Sequence, residues 1–108
     1  MKFEVAVLAP FLKDLKRLAK RYPSLKGEIV ELSAKLEVDP AIGTPIGRNC
    51  YKIRIAIASK GKGKRGGGRV ITHVHVKRTM VYLLDLYDKS EKADLSPGDL
   101  EELLKSIP

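Results

Sequence analysis

The chain has 108 residues, of which 44% are apolar and 31% charged. This is enough for one hydrophobic core and excludes a disordered chain. With a net charge of +8, one cysteine (Cys50) and no run of 18 apolar residues, the sequence argues against an internal disulfide, a secretory signal or a membrane span, and we expect a single cytoplasmic domain over residues 1–108.

The first third of the chain predicts one strand and two helices. Alternating apolar residues indicate a strand over residues 2–8. Apolar residues then recur at helical spacing from Pro10 until Pro23 stops the pattern, and again after Ser24, a candidate N-cap, as far as residue 39. Two short amphipathic helices joined by a tight turn predict a helical hairpin.

The rest of the chain predicts strands followed by one helix. Residues 41–49 are interpreted as a loop, and residues 60–68 as a loop rich in glycine and lysine. Three strands are predicted, over residues 51–58, 69–77 and 81–87. Ser96 is expected to cap a last helix with Pro97 at its first position. The fold class is therefore α+β: an N-terminal strand and helical hairpin packed on a mainly antiparallel four-stranded sheet, with a C-terminal helix.

The positive charge is concentrated in one segment. Residues 40–84 contain ten Lys and Arg residues and no Asp or Glu, whereas the rest of the chain carries 11 basic and 13 acidic residues. Like charges repel and destabilise a compact fold unless a partner of opposite charge is bound. This distribution predicts a polyanionic partner, most simply a nucleic acid.

Strand alternation predicts where these charges point. Successive side chains of a strand face opposite sides of the sheet. The apolar residues expected to face the hairpin are Tyr51, Ile53, Ile55, Ile57, Val70, Val74, Val76, Tyr82, Leu84 and Leu86. The opposite face then receives Lys52, Arg54, Arg69, Tyr87 and Lys89, together with Val81 and Leu83. This face is either an ordinary solvated surface or a site for an anion, which would relieve the repulsion between opposed cations.

Two further motifs fall within the basic segment. The glycines near residue 61 match the letters of a dinucleotide fingerprint, but a strand follows them where that motif needs a helix. We expect instead a basic loop that contacts phosphates, through Lys60, Lys62, Lys64 and Arg65, or a plain flexible hairpin loop. His73 and His75 share a strand face and are expected to contact RNA with Lys77, or to be ordinary sheet residues, since too few further ligands lie nearby for a metal. No metal, cofactor or small-molecule ligand is predicted.

A basic face without paired carboxylates is compatible with one kind of nuclease chemistry. The 2′-hydroxyl of RNA can attack the adjacent phosphate, which leaves a 2′,3′-cyclic phosphate and a 5′-hydroxyl. Arginine and lysine can stabilise the charge that develops on the phosphate, a lysine crowded by cations can act as a base, and tyrosine can stack on a nucleotide base.

Several segments, in this order, resemble the RelE/ParE toxin superfamily, and most of all its HigB/RelE-type branch. They are residues 51–54, residues 61–69, residues 81–84 and residues 87–92. The resemblance covers almost the whole chain. It implies a toxin of a type II toxin–antitoxin module that enters the ribosomal A site and cleaves mRNA, and that a cognate antitoxin protein holds inactive.

The resemblance also implies roles for individual residues. Lys52 and Arg54 match the basic pair of the family's second strand, Arg69 the arginine that opens the third, and Tyr87 and Lys89 the aromatic and basic residues late in the fourth. Arg54 and Arg69 would bind the scissile phosphate, Lys52 or Lys89 would transfer protons, and Tyr87 would position the nucleotide. Replacing Arg69 by Ala is expected to abolish toxicity and leave the fold intact. A gyrase inhibitor like ParE and a noncatalytic RNA-binding protein or decayed toxin are the alternatives.

Overall fold

The computed structural model of the chain, which describes residues 2–108, is an α+β fold built on one five-stranded sheet. The elements are β1 (Glu4–Val7), α1 (Ala9–Arg21), α2 (Leu25–Val38), β2 (Thr44–Gly47), β3 (Cys50–Ile55), a 3₁₀ turn (Ala58–Lys60), β4 (Gly68–His75), β5 (Met80–Asp88) and α3 (Asp99–Leu104). The strand order is β1-β5-β4-β3-β2. Among the strand pairs within residues 2–108, only β1–β5 is parallel, so the predicted class and the mainly antiparallel sheet are confirmed.

The sheet has one strand more than the four predicted. The segment interpreted as a loop, residues 41–49, contains β2, which pairs antiparallel with β3 at the edge of the sheet. Pro45 lies within β2, and proline is tolerated there because an edge strand does not need every N–H for a neighbour. Arg48 and Asn49 both adopt positive φ angles, 55° and 59°, and so turn the chain directly into β3.

The helical hairpin covers one face of the sheet, as predicted. Its buried residues, which include Phe11, Leu18, Leu25 and Leu36, pack against Ile53, Ile55, Ile57, Val70 and Val74 of the sheet side. Ser24 precedes α2, but its hydroxyl does not cap the helix. It accepts a hydrogen bond from the Ser59 N–H instead (3.0 Å), which ties the hairpin to the 3₁₀ turn.

Part of the way along β5, the side chains that point toward the hairpin change from odd-numbered to even-numbered residues, which strand alternation alone did not predict. Its register with β4 shifts between Ile71 and Thr72 because of a β-bulge. Val81 and Leu83, expected on the outer face, are therefore fully buried in the hairpin core. The expectation that Tyr82 and Leu84 face the hairpin is wrong for the same reason, since both belong to a second apolar cluster.

That second cluster lies on the opposite face of the sheet, beneath the C-terminal segment. Leu95, Leu100, Leu103, Leu104 and Ile107 of that segment pack against Cys50, Ile71, Tyr82, Leu84 and Tyr87. Helix α3 begins at Asp99 and not at Pro97, because Gly98 has a φ of +88° and interrupts the helical path. Ser96 still contributes to the helix start, since its N–H donates to the Asp99 carboxylate at 2.7 Å. None of the helices within residues 2–108 has the length and apolar character needed to span a bilayer.

Candidate nucleic-acid interface

Three predicted site residues form a row across the outer face of the sheet. In the strand register, Arg54 of β3 lies opposite Arg69 of β4, which lies opposite Tyr87 of β5. Lys52 lies in the adjacent row, opposite Ile71. The predicted convergence of these side chains on the face away from the hairpin therefore follows from the pairing of the strands. For brevity, we call this group of four residues, with Lys52 from the adjacent row included, the cationic row: Lys52, Arg54, Arg69 and Tyr87.

The members of the cationic row differ greatly in exposure. Arg54 is exposed and Lys52 is half-buried, whereas Arg69 and Tyr87 are each only 4% exposed. Opposed arginines repel, so the buried one requires compensation from acceptors close to it.

The compensation for Arg69 comes from backbone carbonyls. Its guanidinium donates to the carbonyl oxygens of Lys64 (2.9 Å), Arg65 (3.2 Å) and Gly68 (3.0 Å). Through these hydrogen bonds, Arg69 anchors the chain segment that leads into β4. The expectation that Arg69→Ala leaves the fold intact stays a prediction; the substitution would free three carbonyls that the guanidinium now satisfies.

The segment that Arg69 holds is the basic loop, residues 61–68, which carries Lys62, Lys64 and Arg65 on its exposed side. The loop lies very close to β3. A Cβ atom built at Gly67 would lie 2.1 Å from the Ile55 carbonyl oxygen, so only glycine fits there. Three cations are therefore presented at the rim of the cationic row by a loop whose base is fixed. That they contact phosphates stays a prediction.

Lys60, also predicted to bind RNA, has a different environment. Its side chain is 8% exposed and its ammonium group donates to Asp88, which is fully buried. Asp88 also accepts from the Tyr22 hydroxyl (2.6 Å) and from the Ser90 N–H (2.9 Å) and hydroxyl (2.7 Å). These contacts already use the charge of Lys60, so we assign this residue to support of the basic loop.

The donors around Asp88 determine its ionisation. Burial alone raises the pKa of a carboxyl group, but the hydrogen bonds from Lys60, Tyr22 and Ser90 outweigh burial and hold the pKa of Asp88 well below its usual range. Asp88 is therefore ionised at physiological pH. It joins the end of β5 to the end of α1 and to the 3₁₀ turn at the start of the basic loop.

The chain that follows β5 lies over the cationic row. We call residues 89–98 the strap. Asp94 accepts a hydrogen bond from the Lys52 ammonium group at 3.2 Å, and the Lys92 ammonium group stands 5.1 Å from the centre of the Tyr87 ring. Lys89, predicted to be catalytic, donates to the Ala93 carbonyl at 3.2 Å within the strap itself. Sequence reasoning missed Asp94, because pairing across 42 residues leaves no local pattern.

Tyr87 is covered by this arrangement. Its hydroxyl makes no hydrogen bond of good geometry within residues 2–108, although the Asp94 carboxylate lies close to it. Burial, and then the nearby charge of Asp94, raise the pKa of Tyr87 to about 12, so the phenol stays neutral at physiological pH. A neutral hydroxyl close to Asp94 and Arg69 can donate to an oxygen of a ligand.

The predicted histidines lie toward the other end of the sheet. His73 lies four positions along β4 from Arg69, or about 13 Å away. His73 stacks on Tyr82 and lies 3.5 Å from the Cys50 sulfur, while His75 accepts from the Arg78 N–H. With the exposed Lys77 they can contact RNA only away from the cationic row. Within residues 2–108, no three Asp, Glu, His or Cys side chains lie together as a metal site would require.

The fold and this basic face define a known class of small protein. A family model described as the RelE toxin of the RelE/RelB toxin–antitoxin system matches residues 13–107. The chain therefore belongs to the RelE toxin family, and it is a toxin of a toxin–antitoxin system. Toxins of this family are endoribonucleases.

Solved structures agree with this fold. A double mutant of the Escherichia coli toxin RelE in the free state superposes with a TM-score of 0.62 at 15% identity, over 98% of this chain and 94% of that one. The isolated E. coli RelE toxin gives 0.53 at 18% identity, over 99% and 100% of the two chains. The intact E. coli RelBE toxin–antitoxin complex gives 0.51 at 18% identity, over 82% and 96%.

Proposed function

We propose that this toxin is a ribosome-dependent endoribonuclease that acts in the cytoplasm, cleaves mRNA in the ribosomal A site without a metal ion, and is neutralised by a cognate antitoxin. The observation that carries the proposal is the cationic row, which groups three cations and a phenol on one face of the sheet beside the exposed basic loop. Membership of the RelE toxin family supports the antitoxin and the cleavage of RNA.

The proposed reaction needs only groups that this chain supplies. The 2′-hydroxyl of the nucleotide attacks its own 3′-phosphate, the phosphorus–oxygen bond to the next nucleotide breaks, and a 2′,3′-cyclic phosphate and a 5′-hydroxyl result. The 2′-hydroxyl loses a proton and the leaving oxygen gains one. Negative charge increases on the phosphate in the transition state, where nearby cations stabilise it most.

Arg54 is the residue we assign to this charge. It is the exposed arginine of the cationic row, and it has a planar guanidinium that can form two hydrogen bonds to a phosphate. Arg69 acts beneath it by holding the basic loop and by adding positive charge. Lys62, Lys64 and Arg65 are assigned to phosphates on either side of the cleaved bond.

The proton transfers are assigned to lysine. Lys52 is half-buried and lies next to both arginines in the strand register, so its side chain belongs to the same site. Lys89 lies at the end of β5, next to the cationic row, and is the second candidate. Tyr87 is assigned to the positioning of the nucleotide by its hydroxyl or its ring.

The test is induction of the toxin in growing cells, with mapping of new RNA 5′ ends. We expect growth arrest and cuts within translated messages in phase with codons. Arg54→Gln should reduce cleavage about 100-fold or more, as is usual when a group that stabilises transition-state charge is lost. Lys20→Gln, an equally exposed cation on the outer side of α1, is the matched control and should cleave as the wild type does.

The outcomes separate the predicted alternatives. DNA damage without new RNA ends would contradict the proposal in favour of gyrase inhibition. RNA that is bound with a steep salt dependence but left intact would indicate a noncatalytic protein. Equal loss of cleavage in Arg54→Gln and Lys20→Gln would show that net charge matters and the cationic row does not.

A further inference from the structure

We propose that Asp94 is an internal substitute for a phosphate group, so that the strap inhibits its own toxin and RNA must displace the Asp94 carboxylate from Lys52. The inference rests on the proposed function for the identity of the displacing ligand. It adds a regulatory contact between two parts of the chain that are 42 residues apart.

Asp94 is in the position that an anion bound to the cationic row would occupy. One carboxylate oxygen accepts from the Lys52 ammonium group at 3.2 Å, and the other accepts from the Leu95 N–H at 2.8 Å. The Leu95 N–H, and next Lys52, lower the pKa of Asp94, so the carboxyl remains ionised. A phosphate that needs the Lys52 ammonium group therefore competes directly with Asp94.

The strap also occupies the place of a nucleotide base over Tyr87. The Lys92 ammonium group lies against the ring, and it pairs with Asp85 at 3.9 Å and Asp99 at 3.7 Å. A base cannot stack on Tyr87 while Lys92 is there. Both groups that would receive RNA, an ammonium group and a ring, are thus covered by residues of one short segment, Asp94 and Lys92.

The strap is firmly held at its two ends and weakly held between them. Asp88 fixes the chain immediately before it, and at its other end Leu95 of the strap and the leucines of α3 pack into the second apolar cluster. In between, the side chains that hold the strap are exposed: Glu91, which pairs with Arg17 and Arg21, is 38% exposed, Lys92 is 38% exposed and Asp94 is 61% exposed. Ion pairs this exposed contribute little to stability, so the central part of the strap can open without unfolding of its ends.

The first experiment measures the affinity for a short single-stranded RNA that carries 2′-O-methyl groups and cannot be cleaved. Asp94→Asn removes the competing charge. Glu91→Gln is the matched control, because it makes the same change in net charge in the strap but Glu91 pairs with Arg17 and Arg21 and not with Lys52. We expect Asp94→Asn to bind about threefold more tightly than Glu91→Gln, the range for one exposed ion pair.

The outcomes are decisive when Lys52 is also varied. In a Lys52→Met background, Asp94→Asn should no longer bind the RNA more tightly than Glu91→Gln does. Equal affinities of Asp94→Asn and Glu91→Gln would overturn the inference, and so would an advantage that persists without Lys52, because the gain would then come from overall charge.

The second experiment does not depend on RNA. Acylation of Lys52 is followed by mass spectrometry while inorganic tripolyphosphate is added as a competitor. Asp94→Asn should need about threefold less tripolyphosphate for half-protection than Glu91→Gln does. If no variant binds RNA, the proposed function fails, but this measurement still decides the inference. Equal tripolyphosphate concentrations for half-protection would refute the role of Asp94, and a lower concentration in Asp94→Asn than in Glu91→Gln would support it.

Discussion

The buried charge of Asp88 gives the sharpest stability prediction. Asp88→Asn keeps the shape of the side chain but removes the charge that faces Lys60, whose side chain is only 8% exposed. Breaking a buried ion pair by removal of one partner costs about 3–5 kcal/mol. Because Lys60 keeps a contact to the Ser90 hydroxyl and some access to water, we expect the lower end, about 3 kcal/mol.

Urea denaturation measures this loss. For a domain of this size, with a slope of about 1.5 kcal/mol per molar urea, the midpoint should fall by about 2 M. Asp39→Asn makes the same chemical change at an exposed position and should shift the stability by less than about 0.5 kcal/mol. A loss below about 1 kcal/mol in Asp88→Asn would refute the reasoning, since it would mean that water or other groups satisfy Lys60.

Two extensions test the cause of the loss. If the unpaired ammonium group is responsible, adding Lys60→Met to Asp88→Asn should cost less than the sum of the two single changes, by about 1 kcal/mol or more. The lowered pKa of Asp88 also predicts a pH dependence. Its contribution is complete above the pKa of the unfolded carboxyl, about 4, and is lost as the pH falls toward the folded pKa, so wild type and Asp88→Asn should converge in acid.

The remaining predictions concern four other buried groups. Tyr87→Phe removes a hydroxyl that makes no hydrogen bond of good geometry within residues 2–108, so thermal unfolding should show unchanged or higher stability, by up to about 1 kcal/mol. A clear loss of stability would show that the nearby Asp94 carboxylate accepts from this hydroxyl. Burial, and next a hydrogen bond with Asp14, raise the pKa of Asp85 to about 6. The wild type should therefore lose stability relative to Asp85→Asn as the pH rises from 4 to 7. A difference in unfolding free energy that stays constant over that range would contradict this. Burial raises the pKa of the Cys50 thiol to about 11, so iodoacetamide at pH 8 should modify the folded protein at least about tenfold more slowly than the urea-unfolded chain; equal rates would exclude a buried thiol. Arg69→Met removes the hydrogen bonds to three loop carbonyls, so limited trypsin digestion should cut the basic loop faster than in the wild type. An unchanged rate of digestion would show that the conformation of the loop does not depend on Arg69.

The sequence by itself determined the class of fold and the face on which the cationic row lies. The hairpin follows from apolar residues at helical spacing, and the common face of Lys52 and Arg54 follows from the two-residue period of a strand. Both are local rules that need no knowledge of distant residues. The absence of acids between residues 40 and 84 likewise indicated an anionic partner from composition alone.

Only the tertiary structure decided the long-range features. One inserted residue in β5 moved Val81 and Leu83 into the hairpin core, and the sequence pattern there is equally compatible with either register. The burial of Arg69 depends on backbone carbonyls, which every residue possesses and no sequence pattern marks. The contact of Asp94 with Lys52 joins two segments whose separation along the chain says nothing about their distance in space, because packing of the leucines of α3 on the sheet brings them together.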